Sequence, residues 1–244
     1  VGNTQMNKIK ISETISETPY SRVSYCYLNG EKAVLKTKKE AIITNSIATE
    51  LEIHQFLNKY DLCPEILDYD LLNNRIVYEC IEYPVENSEY NQVLLKIFGE
   101  TLSKLHSLDY ENLAIDTFEE KIESYRNMLS TSATIEIQES FALFDKLYKK
   151  PYKLAFCHND LNKMNIFLDK NMKFIDWEYT GLNQPIYEIA SIKKSFNLSS
   201  DQLDIFLKAY GQDFNPNEIE EFEVLVGFIE KIWQKVTNKL KTNQ

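Results

Sequence analysis

Cys157-His158-Asn159-Asp160-Leu161-Asn162-Lys163-Met164-Asn165 runs directly into the segment Ile166 to Ile175 and closes on Asp176-Trp177-Glu178-Tyr179. Ile166-Phe167-Leu168-Asp169 and Lys173-Phe174-Ile175 have the make-up of short strands, with Lys170-Asn171-Met172 as the turn between them. Such a hairpin leaves Asn165 and Asp176 flanking its open end. Neighbouring strands lie about 4.8 Å apart, so an amide oxygen and a carboxylate placed there can meet around one magnesium ion. Asp160, on the loop before Asn165, is expected to fold over the same end.

A carboxylate next to a metal-holding Asn/Asp pair is what phosphoryl transfer to a hydroxyl requires. Asp160 would accept or orient the substrate proton, while Asn165 and Asp176 hold the metal on nucleotide phosphates. His158 is expected to brace this catalytic loop by hydrogen bonding. The plain alternative, polar loop residues around an ordinary hairpin, leaves the spacing His-x-Asp-x-x-x-x-Asn before an apolar hairpin and Ile-Asp as coincidence.

The kinase pattern that this spacing resembles implies a lysine on the third strand and a glutamate on the following helix, further toward the N-terminus. Val23 to Leu28 and Glu31 to Thr37 read as strands joined by Asn29-Gly30, the pair that a type I′ turn favours because both positions need positive φ. Ala33-Val34-Leu35-Lys36 ends the second strand with a lysine. A helix follows from about Thr44 or Ser46 to Tyr60. On it Glu50 shares a face with Ile47, Ile53 and Leu57, whereas Glu52 lies about 200° around from that stripe. A carboxylate on an apolar face needs a cation, so Glu50 is the expected partner of Lys36.

Strands are expected at Glu65 to Asp70 and Arg75 to Ile81, with a turn at Asn73-Asn74 and a linker at Glu82-Tyr83-Pro84-Val85. Beyond the linker the pattern is helical at about 89–108, 116–130, 134–149, 186–196, 200–210 and 216–240, interrupted by the β-loop stretch Leu154 to Asp176. The expected fold is α+β and two-lobed: a small β-rich N-terminal lobe, 1–82, and a larger helical lobe, 83–244.

With these residues placed, the sequence resembles the aminoglycoside phosphotransferase and choline kinase superfamily, which has a protein-kinase-like fold. The resemblance runs from Lys36 to about Tyr210. It is strongest in Cys157-His158-Asn159-Asp160, in Asn165, and in Ile175-Asp176-Trp177-Glu178-Tyr179-Thr180-Gly181. The helix Gly99-Glu100-Thr101-Leu102-Ser103-Lys104-Leu105-His106 also resembles one in the family. The resemblance implies ATP and magnesium (Mg2+), with Asp160 as base and Asn165 and Asp176 as metal ligands. It also implies Lys36 paired with Glu50 on the phosphates, and adenine against the linker backbone from Glu79 past Ile81 to Glu82. Protein kinases fit less well, since Asn159 replaces their Arg, Trp177-Glu178 replaces Phe-Gly, and no Ala-Pro-Glu follows. Two departures stand out. Ser12 to Ser24 contains no glycine, leaving Thr18, Ser21 and Arg22 as candidate phosphate contacts. Glu188 stands where many members carry Asp, and is read as bracing its helix start.

Asp176-Trp177-Glu178-Tyr179 is more similar to the bacterial choline kinase and thiamine kinase branches than to the drug-modifying enzymes. Aromatic faces with a nearby carboxylate suit a quaternary ammonium. Glu178, Tyr179 and Trp233 are therefore the candidate acceptor residues, although Trp233 also falls on the apolar stripe Phe222, Leu225, Val226, Ile229 and Val236. The expected function is ATP-dependent phosphorylation of a small cationic alcohol, choline first. Thiamine or aminoglycoside kinase and a non-catalytic pseudokinase are the other readings.

Composition agrees with this. The 244 residues carry 27 Lys and Arg against 37 Asp and Glu, a net charge of −10. That balance argues against nucleic acid as a partner and suits a cationic acceptor, while the bound nucleotide demands local reversal of sign by magnesium and Lys36. The longest mainly apolar stretch, Phe222 to Ile229, is broken by Glu223 and too short to span a bilayer. Cys26, Cys63, Cys80 and Cys157 show no metal spacing and read as buried thiols of a reducing compartment. The sequence opens on Val1, no signal segment is read there, and the expected location is cytoplasmic.

Overall fold

A computed structural model describes residues 9–18, 20–39, 44–85, 90–110, 113–131, 133–150 and 152–242. The start of the chain, on which the signal-segment reading rests, lies outside these residues. The fold is protein-kinase-like, with a β-rich N-terminal part and a helical C-terminal part. By compactness it forms two units: Val1–Glu89, Asn112–Ala114 and Lys163–Tyr179 make the first, and the remaining residues make the second.

The first unit is built on an antiparallel sheet of β1 (Ile9–Glu17), β2 (Ser21–Leu28), β3 (Glu31–Lys38), β4 (Ile66–Asp70) and β5 (Arg75–Glu79), in the order β1-β2-β3-β5-β4. Asn29 and Gly30 turn between β2 and β3 with φ of 53° and 94°, which holds Val23 opposite Lys36. Alternation then sorts β3. Ala33 and Leu35 join Cys26, Leu28 and Val77 in one apolar cluster. Val34, Lys36 and Lys38 point to the other face, the side of Ile76 and Tyr78. There α1 (Ile47–Asn58) packs, started by Ser46, whose side chain accepts the Thr49 amide. Ile47 and Leu51 meet Ile76 and Tyr78.

β1 was absent from the sequence reading. Its side chains past Ile9 are exposed, it lies at the sheet edge, and two register shifts break its pairing with β2. Ile9, Ile11 and Ile15 are spaced as for a strand, but Ile11 and Ile15 are exposed, so backbone pairing at the edge holds β1 with little help from a buried face. Cys80 corrects another expectation: it is half-buried, unlike the other three thiols.

The unit is completed by the hairpin β7 (Ile166–Leu168) and β8 (Met172–Phe174), entered through the short turn Lys163–Asn165. Backbone bonds fasten it: Phe174 N–H donates to Leu62 O at 2.8 Å, and Leu168 N–H to Tyr83 O at 2.9 Å. Lys173 adds ion pairs to Glu79 (2.7 Å) and Asp61 (3.1 Å).

The second unit contains α2 (Gln92–His106), α3 (Phe118–Leu129), α4 (Ile135–Tyr148), α5 (Pro185–Phe196), α6 (Ser200–Tyr210) and α7 (Pro216–Thr242). It also holds the two-stranded pair β6 (Ala155–Cys157) and β9 (Gly181–Asn183). The helix expected from about residue 89 begins at Gln92; residue 89 lies outside the described residues. Among the described residues no helix is long and apolar enough to cross a membrane.

α2 and α6 cross closely at Gly99. A Cβ there would come 2.4 Å from the Phe206 carbonyl oxygen and 2.9 Å from Ala209 Cβ. Gly99→Ala should therefore wedge the helices apart, at a cost of about 1–3 kcal/mol typical of overpacking. Thermal or denaturant unfolding tests this, and a midpoint equal to the parent's would refute the close crossing.

Candidate active site

Two lysines of β3 face one carboxylate cluster. Lys36 is 5% exposed and Glu50 1%. Lys36 Nζ donates to Glu50 Oε1 and to Asp176 Oδ1, both at 2.7 Å, and lies 3.7 Å from Glu178 Oε2. Lys38 Nζ is 3.3 Å from Glu178 Oε2 and 3.6 Å from Glu50 Oε2. Burial opposes charge on Lys36, but the Glu50, Asp176 and Glu178 carboxylates overcome it and hold the ammonium well above its ordinary pKa. Burial, then the neighbouring Asp176, push Glu178 upward against the pull of the two lysines. Glu52, the rejected candidate, is exposed.

The β7–β8 hairpin brings Asn165 and Asp176 to its open end, where Ile175 N–H donates to Asn165 O at 3.0 Å. Asp176 has φ of 65°, a left-handed conformation that Asp tolerates better than most residues, and its side chain is 40% exposed. Asn165 and Asp176 line a cavity of about 320 Å³ together with Lys36 and Glu50. Val23, Val34, Ile81, Phe167 and Ile175 supply apolar wall. Glu79 also lines it, with its carboxylate bonded by Lys173 Nζ (2.7 Å) and the Glu65 amide (3.1 Å). The volume suits a small-molecule site.

The donor set fits magnesium. An amide and a carboxylate are hard oxygen ligands, and three carboxylates (Glu50, Asp176, Glu178) against two ammoniums (Lys36, Lys38) leave one negative charge for a cation.

In the second unit, the loop after β6 carries His158, Asn159 and Asp160. His158 is fully buried, and its Nδ1 accepts the Asp160 N–H at 3.3 Å, so it braces the loop and touches no solvent. Glu188 goes beyond the helix-start role read from sequence. From the first turn of α5, Oε1 accepts the Asn159 N–H (2.7 Å) and Oε2 the His158 N–H (3.2 Å). His106 on α2 meets Glu188 Oε2 at 2.8 Å through Nε2 and Tyr210 Oη at 2.9 Å through Nδ1. Sequence reasoning gave His106 no role; the available signal was Glu188 itself, an acid inside an apolar helix start that needs a polar partner. Burial pushes the Cys157 thiol well above its ordinary pKa, which excludes it as a nucleophile near neutrality.

Residues 21–222 match the model of the phosphotransferase enzyme family. The chain belongs to that family. It is 27% identical over 188 residues to the protein LicA homolog of Metamycoplasma hominis, covering 72% of each chain. It is 30% identical over 132 residues to protein LicA of Haemophilus influenzae, covering 50% of this chain and 49% of that one. Among solved structures, choline kinase LicA from Streptococcus pneumoniae superposes with a TM-score of 0.76 over 96% of this chain and 86% of that one. At 17% identity, that likeness is one of fold. The chain is thus a small-molecule phosphotransferase.

The structure treats the three acceptor candidates of this phosphotransferase differently. Glu178 was expected beside the acceptor, but its carboxylate is engaged by Lys38 and Lys36. The signal for this was present: Lys38 is two residues beyond Lys36, on the same strand face. Tyr179, in the same short turn, is half-buried. Trp233 lies on α7, where Ile232 takes the fully buried place between Ile229 and Val236 and leaves the indole half-buried at the stripe's edge.

Proposed function

We propose that this phosphotransferase transfers the γ-phosphoryl group of ATP to the hydroxyl of a small cationic alcohol, choline. The observation that carries the nucleotide half is the cavity in which Lys36, braced by Glu50, shares one wall with Asn165 and Asp176. The choice of choline draws on the LicA relatives, among them the choline kinase LicA from Streptococcus pneumoniae.

In this reading the adenine lies against the main chain of the Glu79–Ile81 segment, and Lys36 turns from Asp176 toward the phosphates. Asn165 and Asp176 would hold Mg2+, which when bound neutralises charge on the transferring phosphoryl group. Asp160 accepts the proton of the acceptor hydroxyl as its oxygen attacks phosphorus, and ADP leaves. Glu178 belongs with the lysine pair, whose charge it balances, while Tyr179 and Trp233 offer aromatic faces to a quaternary ammonium.

ADP release measured with choline, ethanolamine, thiamine and several aminoglycosides should be fastest with choline. Faster turnover of another acceptor would replace choline. No turnover with any of them, alongside clear ATP binding, would establish the pseudokinase instead.

A further inference from the structure

We infer that Asn183, on β9, is a positioning residue for Asp160 and acts through Asn159. The inference rests on the reading of Asp160 as the base. Asn159 has φ of 66°, a left-handed conformation that Asn tolerates better than most residues, so the residue immediately before Asp160 sets a turn in the loop that its own bonds must orient. Glu188 binds its N–H. Its side chain is held by Asn183, which is fully buried and whose Nδ2 donates to Asn159 Oδ1 at 2.8 Å.

The orientation of that bond is fixed from behind. Asn183 Oδ1 accepts from the Gln184 N–H at 2.7 Å and from the Tyr148 hydroxyl at 2.5 Å. A backbone N–H can only donate, so the Asn183 oxygen must face Gln184 and its amide nitrogen must face Asn159. Tyr148 is buried in turn and stacks on Phe144, with ring centroids 4.1 Å apart. The chain Tyr148–Asn183–Asn159 thus connects the core beneath α4 to the backbone that aims Asp160. Neither Asn183 nor Tyr148 needs to touch substrate. Loss of the tie lets the carboxylate drift, and a misplacement of about 1 Å at a reacting group costs on the order of a hundredfold in rate.

The test is a double-mutant cycle in steady-state kinetics on the full chain. Asn183→Ala should lower kcat by roughly ten- to a hundredfold with the KM for ATP and for acceptor changed less than about twofold, as expected of lost orientation. Asn159→Gly removes the tie's other end and allows positive φ at no steric cost; in that background Asn183→Ala should have little further effect. Tyr148→Phe, which keeps the ring stack, should lower kcat in the same direction by less, and guards against a misfolded alanine variant. Additive effects of the two asparagine changes, or a rise in KM with kcat unchanged, would overturn the inference. Asp160→Asn separates the premises: if it stays active the base assignment fails, whereas an inactive Asp160→Asn with a fully active Asn183→Ala refutes positioning alone.

Discussion

Asp160→Ala should abolish useful turnover while ATP still binds within about twofold of the parent affinity. Removing a general base from a reacting hydroxyl costs about 10²–10⁴ in rate. Nucleotide affinity is spared because the residues proposed to hold it, Lys36, Glu50, Asn165 and Asp176, all line a cavity of the other compact unit. The backbone at Asp160 is anchored by His158 and that at Asn159 by Glu188, so truncating the Asp160 side chain leaves the loop's own bonds in place. Single-turnover kinetics with equilibrium ATP titration check both halves. Retained turnover would remove Asp160 as base; lost ATP binding would show that its side chain shapes the nucleotide site instead.

Asp176→Ala is expected to remove the magnesium-dependent part of nucleotide binding. Residues that merely support a metal ligand already cost about 10–100-fold in metal affinity when lost, and a direct ligand should cost at least as much. Two side effects need a control. Alanine tolerates the left-handed φ of 65° poorly, and Lys36 loses one of its two 2.7 Å carboxylate partners. Asp176→Asn keeps the shape, the tolerance of positive φ and an oxygen that can still accept from Lys36, so it isolates the effect of the carboxylate charge. ATP titrations with magnesium and with excess chelator should converge for Asp176→Ala and draw closer for Asp176→Asn, which keeps an amide oxygen. A magnesium increment equal to the parent's would sink the assignment of Asp176.

What could be read from sequence was what local pattern controls. Asn29-Gly30 dictates its turn. The angular position of Glu50, against Glu52, decides which acid faces Lys36. The short hairpin after Asn165 puts Asn165 and Asp176 side by side. What escaped depends on partners far along the chain or on packing rather than pattern. Lys38 and Glu178 are 140 residues apart, and His106 and Glu188 are 82 apart. β1 pairs irregularly at an open edge. At the stripe of α7, Ile232 and Trp233 compete for one turn of helix, and packing rather than periodicity chose the smaller residue. Two of the residues read as candidate phosphate contacts are already bonded within the sheet edge. Thr18 closes the β1–β2 turn by accepting the Tyr20 and Ser21 amides, and Arg22 is paired with Glu17, so both residues have structural work of their own.

The hairpin fastened to Leu62, Tyr83 and Glu79 has a consequence for synthesis. One wall of the cavity belongs to residues 163–179, while the first stretch of the unit it completes ends at Glu89. At about 5–20 residues per second, the remaining 90 or so residues take roughly 5–20 s to emerge from a ribosome. For that interval Val23, Val34 and Ile81 lack the Phe167 and Ile175 side of their cavity. Residues 1–89 alone therefore lack one wall of the cavity, and as an isolated fragment they should not bind ATP.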